Sequence, residues 1–154
     1  MKFSPNVICS HIDGMVTDAQ KTEFEAAIAN AYASHLPLFT RAKVIWMAIP
    51  PQQAYLEEAQ STASTLMVPV PNGTLNAQRH PMLLQLLNAW CDIMQCDKNQ
   101  VVISAPDVAL SSAFLRASRR RMPFHYQVVF LVKTLIRLVS SKRDNGHLNT
   151  HINL

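Results

Sequence analysis

The chain has 154 residues, 49% of them apolar and 16% charged, with only three glycines. That composition fits one packed domain with its own core and excludes a disordered or collagen-like chain. The net charge of +4 is uneven: residues 1–115 carry six Lys or Arg against nine Asp or Glu, a balance of −3, while residues 116–154 carry eight basic residues against Asp144, a balance of +7. We therefore divide the chain into a mildly acidic body, 1–115, and a basic extension, 116–154.

Met1-Lys2-Phe3-Ser4-Pro5 leads into no long apolar run, so no signal peptide is expected. The first strand is predicted at Val7–Ile12, apolar on both faces and broken by Asp13-Gly14. Thr17 followed by Gln20 is a capping box that opens a helix. Phe24, Ala27, Ile28, Ala31 and His35 then define its buried face, and Pro37 ends it. Lys43–Ile49 reads as a second strand, stopped by Pro50-Pro51.

Residues 52–64 are polar and read as a loop or short hairpin. Thr65–Val70 is the next strand, with Pro69 marking an edge or bulge. Leu83, Leu86, Leu87, Trp90 and Met94 recur at helical spacing, and His80 as cap with Pro81 as first residue gives the proline a tolerated place. Val101–Ala105 completes the series. Gln20, Ile28, Ala31, Tyr32 and Val44 superpose on Gln78, Leu86, Ala89, Trp90 and Val102, a repeat of roughly sixty residues.

Each half is thus a strand, a helix and a strand, which implies a parallel pair with a crossover connection. The expected fold class is α+β: a tandem βαβ repeat forming a four-stranded sheet with two helices on one face. The other, apolar, face is left for a partner subunit.

After Asp107 a short helix is expected from Val108 to Ala117, with the basic cluster Arg116, Arg119, Arg120 and Arg121 closed by Pro123. Phe124–Ser141 is too short and too charged to span a bilayer and reads as an amphipathic helix docking on the body or on a neighbour through Val128, Val132, Leu135 and Val139, with a helix lying on a membrane surface as the alternative. Residues 142–154 read as a frayed polar end, which takes precedence over His147 and His151 as metal ligands on a shared helix face. No aromatic-interleaved basic stripe supports nucleic acid as a partner. Cys9, Cys91 and Cys96 have no zinc-ligand spacing and read as free thiols in a reducing, cytoplasmic compartment; no metal and no cofactor is expected.

Ile12-Asp13-Gly14 to Gln20-Lys21, then Ala27-Ile28, Ala31 and Lys43-Val44-Ile45, resemble a subunit of 4-oxalocrotonate tautomerase (4-OT). The duplicated arrangement over about residues 5–115 resembles the longer members of that tautomerase superfamily, such as malonate semialdehyde decarboxylase and cis-3-chloroacrylic acid dehalogenase. The resemblance implies a homotrimer and proton-transfer chemistry on small 2-oxo acids. It also implies a catalytic proline whose free amine titrates near neutrality in an apolar pocket.

Pro5 stands at that proline's position but follows Ser4, so its nitrogen is an amide without a usable lone pair. Lys43 stands where the family often has an arginine for the substrate carboxylate, supplying a point charge in place of a bidentate fork. Tyr55 matches an aromatic binding position. Asn72 and Thr74 replace two arginines of the longer members, and Tyr32, a half-buried helix residue on this reading, replaces a histidine of the dehalogenase type. His11 and Asp13 are the titratable groups nearest Pro5; a core-edge histidine and a turn aspartate are the plainer readings. The sequence leaves open a weakly active enzyme of the isomerase, decarboxylase or hydratase kind, and a non-catalytic fold used for assembly or ligand binding.

Overall fold

The structure, a computed structural model, describes residues 3–56, 59–120 and 124–151. The first half holds β1 (Asn6–Ile12), α1 (Asp18–His35) and β2 (Lys43–Ile49). A small hairpin, β3 (Tyr55–Leu56) and β4 (Ala59–Gln60), leads to the second half: β5 (Ser64–Met67), α2 (Asn76–Met94) and β6 (Val101–Ser104). After Asp107 the chain forms α3 (Val108–Arg120), α4 (Phe124–Asn145) and β7 (Leu148–His151).

The main sheet has the order β6-β5-β1-β2-β7. β1 runs parallel to β2, with Asn6 opposite Lys43 and Ile12 opposite Ile49. β5 runs parallel to β6, and the two pairs meet antiparallel with Cys9 opposite Leu66. Two parallel pairs joined antiparallel is the arrangement that a twofold relation between the halves produces.

Alternation along the strands sends Val7, Cys9, Val44, Trp46 and Leu66 to one face. There they bury against Phe24, Ile28, Ala31 and Tyr32 of α1 and Met82, Leu86 and Trp90 of α2. Phe24 meets Trp90 edge-on at 4.8 Å, and Trp46 stacks on Trp90 at 6.1 Å, so one aromatic cluster spans both halves. The capping box on α1 is formed: Thr17 Oγ1 accepts from the Gln20 amide at 3.3 Å and Gln20 Oε1 from the Thr17 amide at 3.0 Å. Tyr32 is fully buried rather than half-buried, its hydroxyl donating to the Pro69 carbonyl at 2.7 Å.

Several expectations are corrected. The sheet has five strands, because residues 148–151 form β7 instead of a frayed end. Gly146, at φ +77°, turns the chain at the end of α4, and β7 then takes up the open edge of β2 in parallel, Leu148 opposite Ile45 and His151 opposite Ala48. His147 and His151 therefore share no helix. α2 starts at Asn76 with Leu75 as a cap that offers no side-chain bond, and Pro81 lies inside it. The helix forgoes the bond from position 81 to the Ala77 carbonyl and tolerates this because Pro81 is on the exposed side. β5 ends at Met67, before Pro69, and pairing resumes only at the isolated bridge between Val70 and Asp107. α4 is helical, but Val128, Val132, Leu135 and Val139 are 44–67% exposed. Among the positions of α4 whose burial is described, Gln127, Thr134, Leu138 and Ser141 are half-buried, and α4 packs mainly on β7. Arg121 and Pro123 lie outside the described residues. Among those described, no helix is long and apolar enough to cross a membrane.

Candidate functional site

The parallel pairing of β1, β2 and β7 brings three strand starts to one end of the sheet. A cleft of about 410 Å³ opens there. Ser4 and Asn6, on either side of Pro5, form one part of its lining, and Arg41, Ala42, Lys43 and Val44 form another. Glu25 of α1, Lys142 of α4 and Leu148 of β7 complete it.

Backbone bonds fix this geometry. The Lys43 amide donates to the Pro5 carbonyl at 2.9 Å. The Phe3 amide donates to the Leu38 carbonyl, and the Thr40 amide to the Phe3 carbonyl, both at 2.9 Å. The segment preceding β1 is thus zipped along residues 38–43, and Phe3 sits edge-on to Tyr32 at 6.0 Å.

Glu25 anchors the opposite wall. Its Oε1 accepts from Trp46 Nε1 and from His147 Nδ1, both at 2.9 Å. His147 is only 7% exposed, and its Nε2 lies 3.3 Å from Thr22 Oγ1. Ser141 Oγ donates to the His147 carbonyl at 3.0 Å and accepts from the Asn149 amide at 3.1 Å. These bonds hold the α4–β7 turn, and with it Lys142, against the cleft. By contrast, the side chains of Arg41 and Lys43 are exposed and make no hydrogen bond or ion pair with the described residues.

Of the residues marked in the sequence, Lys43 lines the cleft. Pro5 is buried beneath it, reaching Lys43 through its carbonyl, and is not part of the lining. Tyr55 is 59% exposed on the β3–β4 hairpin and does not line the cleft. His11 is 4% exposed, its Nδ1 donating to the Ile12 carbonyl at 2.8 Å and its ring edge-on to Trp46. Asp13 is exposed in the turn after β1. Asn72 Oδ1 caps α3 by accepting from the Ala109 amide, and Thr74 Oγ1 donates to the Pro71 carbonyl. None of these four reaches the cleft.

Burial pushes the Cys9 thiol and the Tyr32 phenol up from their ordinary values, so neither is an available base near neutrality. Among the described residues no group of three His, Cys, Asp or Glu is placed to hold a metal. Sequence reasoning missed Arg41, Glu25 and Lys142, and weighed His147 only as a metal ligand. Arg41 is two residues before Lys43 and was within reach of the same argument; the other three depend on β7.

No protein-family model and no curated protein sequence matches the chain. Solved structures do. Native Ps01740 superposes with a TM-score of 0.64 at 18% identity over 68% of this chain and 94% of that one. The F6 fused 4-OT asymmetric trimer gives 0.60 at 11% over 68% and 86%, and N1, a member of the cis-3-chloroacrylic acid dehalogenase family, gives 0.60 at 12% over 68% and 75%. The chain has the tautomerase-like fold. At these identities the likeness carries the fold alone.

Proposed function

We propose that this is a divergent tautomerase-fold protein that binds a small carboxylate at Arg41 and Lys43 and transfers protons on 2-oxo acids only weakly. The observation that carries the reading is the state of Pro5. It lies beside Lys43, where the fold's resemblance puts the catalytic amine, yet its nitrogen is acylated by Ser4 and its ring is buried. An amide nitrogen can neither accept nor donate the proton. The charged part of the site is nevertheless present. Two cations without side-chain partners among the described residues border a cleft whose size suits a small ligand.

A general acid or base contributes about 10²–10⁴-fold, so loss of the amine leaves a small residue of activity. The test is ketonisation of phenylenolpyruvate by the full-length protein and by one lacking residues 1–4. The expected result is little turnover at full length and a faster rate after truncation, read alongside a melting curve because truncation removes the Phe3 contacts. Robust turnover at full length, with Pro5 shown to be acylated, overturns the reading. Carboxylate binding with no turnover in either form favours the second reading, a ligand-binding protein without catalysis, which Arg41 and Lys43, exposed and unpaired among the described residues, also support.

We further propose a homotrimer. The fused 4-OT neighbours are trimers, and Ile8, Ile45, Met47 and Met67 form an apolar surface on the sheet face opposite α1 and α2. Light scattering at micromolar concentration in moderate salt should give three times the chain mass; a monomer overturns this. Three free cysteines fit a reducing cytoplasmic setting.

A further inference from the structure

We propose that α4 docks on a membrane surface, its exposed apolar face seated at the headgroup boundary of a bilayer that carries anionic lipids. The inference is independent of what the cleft binds.

The first argument is which side of the helix is free. Gln127, Thr134, Leu138 and Ser141 fall on one stripe of α4 and are half-buried, and three of the four are polar. Ser141 Oγ ties that stripe to the body through the His147 carbonyl and the Asn149 amide. A helix docked on its own body for stability turns its apolar side inward. α4 does the reverse. Val128, Leu131, Val132, Leu135, Ile136 and Val139 recur at spacings of three and four on another side and are 38–67% exposed. They cover a sector of about 140° round the helix and a length of about 17 Å. Such a surface is continuous, unlike single apolar side chains scattered over a protein's exterior.

The second argument is charge, which selects the occupant. From Val108 to Arg143 the chain carries eight Lys or Arg and no Asp or Glu. Lys133 and Arg137 are exposed and lie about 60° and about 100° round the helix from Ile136, along one border of the apolar sector. A fitting partner offers apolar area and negative charge together. An anionic bilayer does so, with acyl chains below and phosphate or carboxylate groups at the level to which Lys and Arg side chains extend. A second copy of the chain fits less well. None of the five strands of the main sheet contains Asp or Glu, so the apolar sheet face brings no counter-charge, and a second α4 repeats the same cations.

The third argument is geometry. No helix among the described residues is long and apolar enough to cross a membrane, so α4 would lie along the surface. Its 22 residues extend about 33 Å, and pairing of β7 with β2 ties its C-terminal end to the sheet.

The experiment is co-sedimentation of the full chain with vesicles of phosphatidylcholine alone and of phosphatidylcholine mixed with phosphatidylserine, at low and at raised salt. The expected result is binding to the mixed vesicles that weakens as salt rises, and little binding to phosphatidylcholine alone. Lys133→Gln and Arg137→Gln should each weaken binding about fivefold, the contribution of one cation near an anionic surface. Leu135→Ser should weaken it about tenfold through lost apolar burial. Leu84→Ser, the same change at an exposed leucine of α2, should bind as the wild type does. Melting curves check that each variant folds.

Equal binding to both kinds of vesicle overturns the inference, because the anionic headgroup then plays no part. Loss in the two charge variants with none in Leu135→Ser also overturns it, because the basic segment then binds without a seated helix. Absence of binding to either vesicle overturns it as well; if Leu135→Ser then lowers the mass found by light scattering, a second copy is the occupant of this face.

Discussion

The two βαβ units share helix register and strand order, but their outer edges differ. In the first, β2 is covered by β7; in the second, β6 ends the sheet. Their chemistry differs at matched positions. Where the first unit has Pro5, Glu25, Arg41 and Lys43, the superposed residues of the second are Ala63, Leu83, Asn99 and Val101. Thus the second copy keeps the apolar positions that build the core and holds none of the charges that line the cleft. A duplicated fold constrains the residues that pack between helices and sheet. It leaves strand starts and edges free to diverge, and the cleft lies where one edge acquired an extra strand.

The shared core is where the comparison can be broken most decisively. Trp46 and Trp90, one from each half, are 0% and 1% exposed and stack on each other. Each Trp→Ala substitution should lower stability by about 3–5 kcal/mol. Urea unfolding of both variants should show a single transition, because the cluster ties the halves together. Two separated transitions would mean that the halves fold independently and that the aromatic contact contributes little.

The covered edge gives the next effect. His147→Ala removes a buried imidazole that bonds Glu25 and lies against Thr22, at an expected cost of about 1–3 kcal/mol. Amide exchange at Leu148–His151 should accelerate while that of β5 and β6 stays unchanged. Unaltered exchange in β7 would show that strand pairing alone holds the edge.

These two cases mark what the sequence could show. The core was legible in part because Ile28, Ala31 and Tyr32 repeat as Leu86, Ala89 and Trp90 at helical spacing, and because Thr17 and Gln20 announce their helix; Met82 went unmarked, and Leu83, Leu87 and Met94 are half-buried rather than core. Lys43 was legible from its place before Val44. β7 was not, because Leu-Asn-Thr-His carries no apolar alternation; its partner is the row of unpaired backbone groups on β2, which leaves no mark in the residues of β7. Glu25 and His147 are 122 residues apart, so their contact depended on that strand. The start of α2 was misplaced because local proline preference pointed to His80, whereas the first turn from Asn76 is held by the Gln78 and Arg79 amides on the Leu75 carbonyl and by the Arg79 side chain on Thr74, Ala105 and Asp107.

The helix ends sharpen the comparison further. α1 closes at Leu36 in extended geometry, ahead of Pro37, whereas α2 closes at Gln95 in the left-handed region, φ +53°. A side chain there costs roughly 1–2 kcal/mol, part of which a glycine gives back as unfolded-state entropy. Gln95→Gly should therefore raise stability by about 0.5–1 kcal/mol in thermal unfolding. A loss would mean that the Gln95 side-chain bond to the Asp92 carbonyl outweighs the backbone strain.

The smallest effect concerns the first turns of the two helices. In α1, Lys21 Nζ bonds Asp18 Oδ1 at 2.9 Å. In α2 the matched pair is Asn76 and Arg79, and Arg79 turns instead to Asp107 and the Ala105 carbonyl. The hydrogen bond from Lys21 holds the Asp18 carboxyl below its ordinary value, outweighing the opposing effect of burial. A carboxyl lowered in the folded state stabilises the protein above its unfolded value of about 3.9, and that contribution disappears as pH falls through the folded value. Asp18 is 55% exposed, so solvent screens the pair, and Asp18→Asn should cost less than about 1 kcal/mol at neutral pH. The difference between wild type and variant should shrink as pH is lowered below about 4 and vanish once Asp18 is protonated in both states. Asn76→Asp in α2 should gain little by comparison, because Arg79 is already held by three acceptors, the Thr74 and Ala105 carbonyls and Asp107. A pH-independent difference for Asp18→Asn would assign the effect to a charge-independent property of the side chain and remove the ion pair from this contrast.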